Sequence, residues 1–251
     1  MFLQNKLQEL TSMIEKFIRT VTVDSLSWAY MKQPDKNYDS AQFYLDECLY
    51  FSKTGKHKKT SRREKEIRKI HYSFFKTIKN NEEYPPVKKE LETYGGVSSW
   101  VLFDLITFGQ LSFFFGKLDT PYKKVVTRVL NDMNSYDERI TEKMLSSWIN
   151  AIRALRNKVS HGMKVYEEPF TVLASVQNGD KDYLSLVAED RQNHLVNILL
   201  AMRRIVMCMS NGKREIWNDD LVEINKHIKN SAYLTTAAIG LTDSWIEYFV
   251  I

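Results

Sequence analysis

The chain has 251 residues, 43% of them hydrophobic and 27% charged, with 36 Lys and Arg against 31 Asp and Glu for a net charge of +5. That composition belongs to a globular protein long enough to bury a sizeable core, and it excludes a disordered or disulfide-scaffolded chain. Only 9 Gly and 5 Pro punctuate it, which favours helices, and 2 isolated Cys argue for a reducing cytoplasm and against a structural zinc site.

The first 31 residues repeat Leu7, Leu10, Ile14, Phe17 and Ile18 at steps of three and four, the apolar stripe of an amphipathic helix. Lys6, Glu9, Glu15 and Lys16 lie too early for a secretory signal. Pro34 to Tyr38 breaks this helix, and a second is predicted over 39–52. From Lys53 to Lys69 the chain reads KTGKHKKTSRREKEIRK, nine cations against Glu64 and Glu66. Two readings stay open: a solvated loop and first helical turn, or a patch in which Lys53, Lys56, Lys58, Lys59, Arg62 and Arg63 contact phosphates. A third helix follows over 64–79, where His71, Tyr72, Phe74 and Phe75 are spaced more like a buried face than a stacking platform. Pro85-Pro86 marks a linker over 80–87.

The run VSSWVLFDLITFGQLSFFFG, residues 97–116, approaches the roughly 20 residues that span a bilayer. Asp104 near its middle makes it the central buried helix of a soluble protein instead. Asp119-Thr120-Pro121 starts another helix. Thr141 opens one that runs to Ser160, burying Trp148, Ile152, Leu155 and Val159 and ending at Gly162. Two apolar runs around Asn178-Gly179-Asp180 suggest a small β-hairpin near 170–187, and helices follow over 190–209 and 219–229. The expected fold is an all-α multi-helix bundle, with that hairpin as an optional addition. It is expected to form one domain over 1–251, with a helical N-terminal part at 1–84 and the core and C-terminal helices at 85–251.

No nucleophile elbow, glycine-rich phosphate loop or H-E-x-x-H motif is present. His57, His71, His194 and His227 have no partner at ligand spacing. His161 differs, because Arg153, Arg156 and Asn157 precede it on one helix. Arginine holds phosphate oxygens and the charge that builds on them. An imidazole moves the proton of an attacking or leaving hydroxyl, and Asn157 can fix its tautomer. Arg156 and His161 are five apart, about 140° on an ideal helix, so one chain does not converge them unless the helix ends there. Capping of the helix dipole by basic residues is the competing reading.

Arg156-Asn157-Lys-Val-Ser-His161 matches the R-N-x-x-x-H motif of the HEPN superfamily, and the surrounding chain resembles the Abi-like family of abortive-infection proteins (AbiD/AbiF type). Ser99–Ser112 is similar to that family's W-V-L-x-E-x-x-x-F-G-x-L-S block, Ser147–Asn157 to its W-x-x-x-x-x-x-L-R-N block, and Ile239–Trp245 to its closing G-to-W segment. The likeness spans about 85–250. It implies a bacterial, cytoplasmic, metal-independent endoribonuclease without cofactor, in which the RNA 2′-OH attacks the adjacent phosphodiester at a site composed across a homodimer. Arg156, Asn157 and His161 would then be catalytic. Asp104, replacing the family's glutamate, would be a buried acid that either seeks Arg156 or Arg153 or is bonded to backbone. The partners implied are RNA as substrate and a regulatory small RNA, with no membrane. The family's N-terminal region is longer than these first 80 residues resemble. Met163 stands where toxins silenced by AMPylation carry Tyr, which argues against that regulation. The alternatives are a non-catalytic RNA-binding module of the same superfamily, an effector restrained by an RNA antitoxin, and a helical scaffold in which Arg156 and His161 only cap a helix.

Overall fold

The computed structural model describes residues 2–51, 60–134 and 138–251. They form α1 (Phe2–Met31), α2 (Ser61–Asn80), α3 (Pro85–Tyr94), α4 (Ser99–Leu105), α5 (Phe108–Lys117), α6 (Thr120–Met133), α7 (Glu142–Ser160), α8 (Asn178–Ser185), α9 (Leu195–Val206), α10 (Asn211–Lys229) and α11 (Trp245–Phe249). The fold is all-α, with short 3-10 turns and no strand among the described residues. It divides into two compact units, one of Ile18–Val129 and the other of the chain up to Phe17 together with Leu130–Ile251. The boundaries fall inside α1 and α6. No helix among the described residues is long and apolar enough to cross a membrane.

In the unit Ile18–Val129, α2 packs on α4 and α5. The predicted second helix is instead two 3-10 turns, Ser40–Leu45 and Glu47–Leu49, because buried Asp46 breaks the α pattern. Its carboxylate accepts from the Tyr30 hydroxyl (2.5 Å) and the Cys48 N–H (2.9 Å), so a capping side chain sits where a helix interior was expected. Pro85 and Pro86 occupy the first turn of α3 and do not form a linker, since a missing N–H costs nothing there.

The apolar run 97–116 is not one central helix. It splits at Ile106–Thr107 into α4 and α5. Thr107 and Gln110 close a capping box, with Gln110 N–H on the Thr107 hydroxyl (3.2 Å) and Thr107 N–H on Gln110 Oε1 (2.7 Å). The loosened carbonyls of Phe103 and Ile106 are taken by buried Arg19. Asp104 on α4 is exposed, which overturns the expectation of a buried acid in need of a cation.

The unit containing α7 to α11 has its true centre in α9, every residue of which is buried. α9 packs on α7 and α10, and α10 on α11. No hairpin forms at 170–187. Asn178 and Gly179 begin α8, and the Glu138 carboxylate accepts their N–H groups at 2.8 and 3.0 Å, favoured by the positive end of the helix dipole. Buried Asp180 then holds Arg204 through two bonds of 2.8 and 2.7 Å and accepts from Tyr248 Oη at 2.6 Å. A Cβ on Gly179 would stand 3.1 Å from the Arg204 guanidinium, so the tight approach of α8 to α9 uses a glycine.

Candidate functional site

The site is assembled around the C-terminal end of α7. Thr141 caps its start, accepting from Met144 N–H at 3.3 Å, and the apolar face from Leu145 through Trp148, Ile152 and Leu155 to Val159 is buried, as the spacing predicts. At the far end Met163 N–H bonds Lys158 O (2.9 Å) and Gly162 N–H bonds Val159 O (3.1 Å). Gly162 has φ +64, which completes a Schellman motif. His161 is the cap residue of this motif, with its N–H on Asn157 O at 3.1 Å. Its backbone is therefore pinned, while its imidazole is exposed and has no hydrogen-bond partner among the described residues.

The first turns of α1 line this helix end, running antiparallel to α7. Gln4 Nε2 donates to the free carbonyls of Gly162 (3.2 Å) and Met163 (2.9 Å). Ser160 Oγ donates to Gln8 Oε1 at 2.7 Å. Glu15 lies 3.4 Å from Arg156 Nε. Gln4, Gln8 and Glu15 each follow a buried residue (Leu3, Leu7, Ile14) by one position, so they form the polar rim of the apolar stripe. Sequence reasoning missed them, although that one-residue offset was visible.

Arg156 is only lightly held. Its side chain is 34% exposed, its contact with Glu15 lacks hydrogen-bond geometry, and Nε is buried without another partner. The remaining N–H groups of the fork are available to an anion. Arg153 spends its guanidinium on Asn150 Oδ1, at 2.8 and 3.2 Å. Thus Arg156 goes to Glu15 and Arg153 to Asn150, and neither serves Asp104. No hydrogen bond joins the Asn157 amide to the His161 ring, so the expected tautomer control is absent from this arrangement. Asn157 and His161 are neighbours by their i,i+4 spacing, whereas Arg156 would stand about 140° from His161 on an ideal helix; α7 ends at Ser160, and His161, at φ -95 and ψ 9, is its cap.

A cleft of about 330 Å³ opens beside this helix end, lined among others by Gln4, Gly162, Lys164, Tyr166, His227 and Tyr233. Lys164 lies over the Tyr166 ring at 4.8 Å, and His227 stacks on Phe2 with centroids 4.4 Å apart. Among the described residues no group of three or more His, Cys, Asp or Glu side chains is placed to hold a metal ion.

The basic run fares unevenly. Lys53, Lys56, Lys58 and Lys59 lie outside the described residues. Arg62 is exposed in the first turn of α2. Arg63 turns inward and donates to the carbonyls of Tyr50 (3.3 Å) and Lys117, which makes it a structural cation. Of the four rings expected on a buried face, Phe74 is in the core and His71 half-buried, while Tyr72 and Phe75 face solvent.

The Ile239–Trp245 segment has a structural explanation of its own. Gly240 has φ +76, a Cβ there would lie 2.7 Å from Arg191 O, and Trp245 is fully buried. No curated protein and no solved structure matches the chain. The sequence model of the Abi-like proteins does match, over residues 1–167. That span starts earlier than the likeness of the blocks, taking in the first 80 residues, and stops before Ile239–Trp245. It contains α1, whose side chains line the helix end, and all of the Arg156–His161 segment. With 167 of 251 residues inside the match, this chain belongs to the Abi-like protein family.

Proposed function

We propose that this Abi-like protein is a metal-independent endoribonuclease of the HEPN type, acting in abortive-infection defence. The observation that carries the reading is the exposed imidazole of His161, without a hydrogen-bond partner among the described residues, on a backbone pinned by the Schellman motif and near an Arg156 whose contact with Glu15 lacks hydrogen-bond geometry. Here the backbone is fixed and the functional groups are left open, which is the arrangement a substrate completes.

The chemistry follows from these groups. A base removes the proton of the RNA 2′-OH, the oxygen attacks the adjacent phosphorus, and the 5′-oxygen leaves with a proton from an acid. The product is a 2′,3′-cyclic phosphate. His161 supplies acid–base catalysis worth on the order of 10²–10⁴-fold. Arg156 neutralises the charge growing on the non-bridging oxygens, worth on the order of 10²–10³-fold. Asn157 adds an amide donor. On an ideal helix the five-residue offset turns Arg156 about 140° from His161, and two copies each contributing part of the site is the arrangement that brings both groups to one phosphate. The cleft bearing Tyr166, Tyr233 and Lys164 offers rings and a cation for the nucleotide flanking the cut.

The test is incubation of labelled RNA with the purified protein in excess chelator. Wild type is expected to cut, and Arg156→Ala and His161→Ala are each expected to leave RNA intact while melting like wild type. Cutting that stops on chelation, or that survives His161→Ala, overturns the proposal. Intact RNA that still binds tightly supports instead a binding module without turnover. Sedimentation as a monomer at active concentration overturns the two-chain site.

A further inference from the structure

The outward face of α2 carries a pattern that the proposed cleavage site does not use. At about 100° per residue, Lys65, Arg68, Lys69, Tyr72, Phe75, Lys76 and Lys79 fall within an arc of about 120°. All seven are exposed, Tyr72 at 70% and Phe75 at 53%. The opposite arc holds Ile67, Ile70, Phe74 and Ile78, which are buried. Neither acid of the helix lies on the stripe. Glu66 is turned aside to Lys117 at 2.9 Å, and Glu64 sits just beyond the edge near Phe75. Among the described residues, none of the five cations forms an ion pair. Lys65 to Lys79 spans about 21 Å of helix.

A merely solvated helix face mixes charge signs and leaves few large rings in water. This face is single-signed and alternates cations with two exposed rings. We infer that it is a docking surface for single-stranded RNA, with the cations on successive phosphates and Tyr72 and Phe75 under unstacked bases. The chemistry discriminates among anionic partners. A duplex presents phosphates but hides its bases, so the rings would have no task on it. An anionic bilayer would need an apolar payload, and the aliphatic residues of α2 are already committed to the core. Single strands present both phosphates and ring faces, the pairing that cationic and aromatic side chains read without sequence preference. The inference goes beyond the proposed cleavage reaction, since binding here requires no turnover.

The probe is a fluorescein-labelled 12-nucleotide RNA of mixed sequence, 2′-O-methylated throughout so that it lacks the hydroxyl required for cleavage. Anisotropy titration with the full chain is expected to give binding with a steep salt dependence. Tyr72→Ala with Phe75→Ala is expected to weaken it on the order of tenfold per ring while leaving the salt slope nearly unchanged. Replacing Lys65, Lys69, Lys76 and Lys79 by Gln is expected to reduce the slope of log K against log salt by about 0.7 per phosphate contact removed. A blunt-ended duplex of equal length is expected to be indifferent to the ring substitutions. The inference is overturned if the wild type does not bind the strand, or if both variants bind it as wild type does with unchanged melting. It is equally overturned if they lose only adhesion to phosphatidylserine vesicles. Failure of cleavage with this binding intact and still sensitive to the α2 substitutions would count against the cleavage site alone, because the methylated probe lacks the attacking hydroxyl and its binding requires no turnover.

Discussion

Two arginines of the same unit are held in different ways. Arg204 on α9 is 3% exposed and grips Asp180 through two bonds of 2.8 and 2.7 Å. Arg156 on α7 is 34% exposed and meets Glu15 at 3.4 Å without hydrogen-bond geometry. The first guanidinium is enclosed by its carboxylate, as burial demands of a charge. The second is held in place without being saturated, so its binding capacity remains for something outside the chain. Sequence alone does not separate them, because both arginines sit near helix C-termini where the dipole favours either.

The largest expected effect falls on the closed pair. Arg204→Ala or Asp180→Ala strands the partner in the core and is expected to cost about 3–5 kcal/mol in denaturant melts. A loss below about 1 kcal/mol would erase the distinction between the two arginines. Arg156→Ala sharpens it from the other side. Its melt is expected to move by less than about 1 kcal/mol, as a partly exposed pair allows, while RNA cleavage falls on the order of 10²–10³-fold. His161→Ala is expected to do the same to cleavage without a change in melting.

Smaller effects probe how the open site is held. Gly162→Ala puts a side chain at φ +64 with nothing within 4 Å to clash, so the left-handed strain alone is expected to cost about 1–2 kcal/mol. Cleavage should fall more than binding, because the end of α7 that presents His161 loosens. The smallest effect concerns a closed histidine. Burial pushes His71 below the usual range for an imidazole, and its Nε2 is buried without a partner. The unfolded chain therefore takes up this proton first as pH falls. Stability is fully present above about pH 6.5 and declines as pH drops below it toward the lower folded value. His71→Phe is expected to flatten that part of a pH-melting curve, and an unchanged slope would assign the acid sensitivity elsewhere.

The legibility of these features in the sequence follows the range of the interactions behind them. Local ones were readable. The apolar stripe of α7, its Thr141 cap and the Gly162 stop lie within one helix, and structure and spacing agree on them. The split of 97–116 was also written locally, in Thr107 and Gln110, but the unbroken apolar run outweighed it. Features set by distant partners were not readable. Glu138 caps α8 from forty residues away, which turned a hairpin signal at Asn178-Gly179 into a helix start. Asp104 faces water on a short helix that ends one residue later. Tyr72 and Phe75 share a helix with Phe74, and a step of one or two residues carries them off the buried arc. At the candidate site, Arg156, Asn157 and His161 could be picked out. The α1 rim that holds the helix end, Gln4, Gln8 and Glu15, could not, since nothing local links it to α7.

A site shared between two copies requires Arg156 of one and His161 of the other to serve the same phosphate. Its most direct test mixes Arg156→Ala with His161→Ala under conditions of subunit exchange and measures RNA cleavage in excess chelator. Each variant alone is predicted to be inactive, and the mixture to recover a substantial part of the wild-type rate, because one of the two sites in a mixed dimer regains both groups. Near-wild-type cleavage by either variant alone, or an exchanged mixture no more active than its components while the wild type cuts, would contradict it.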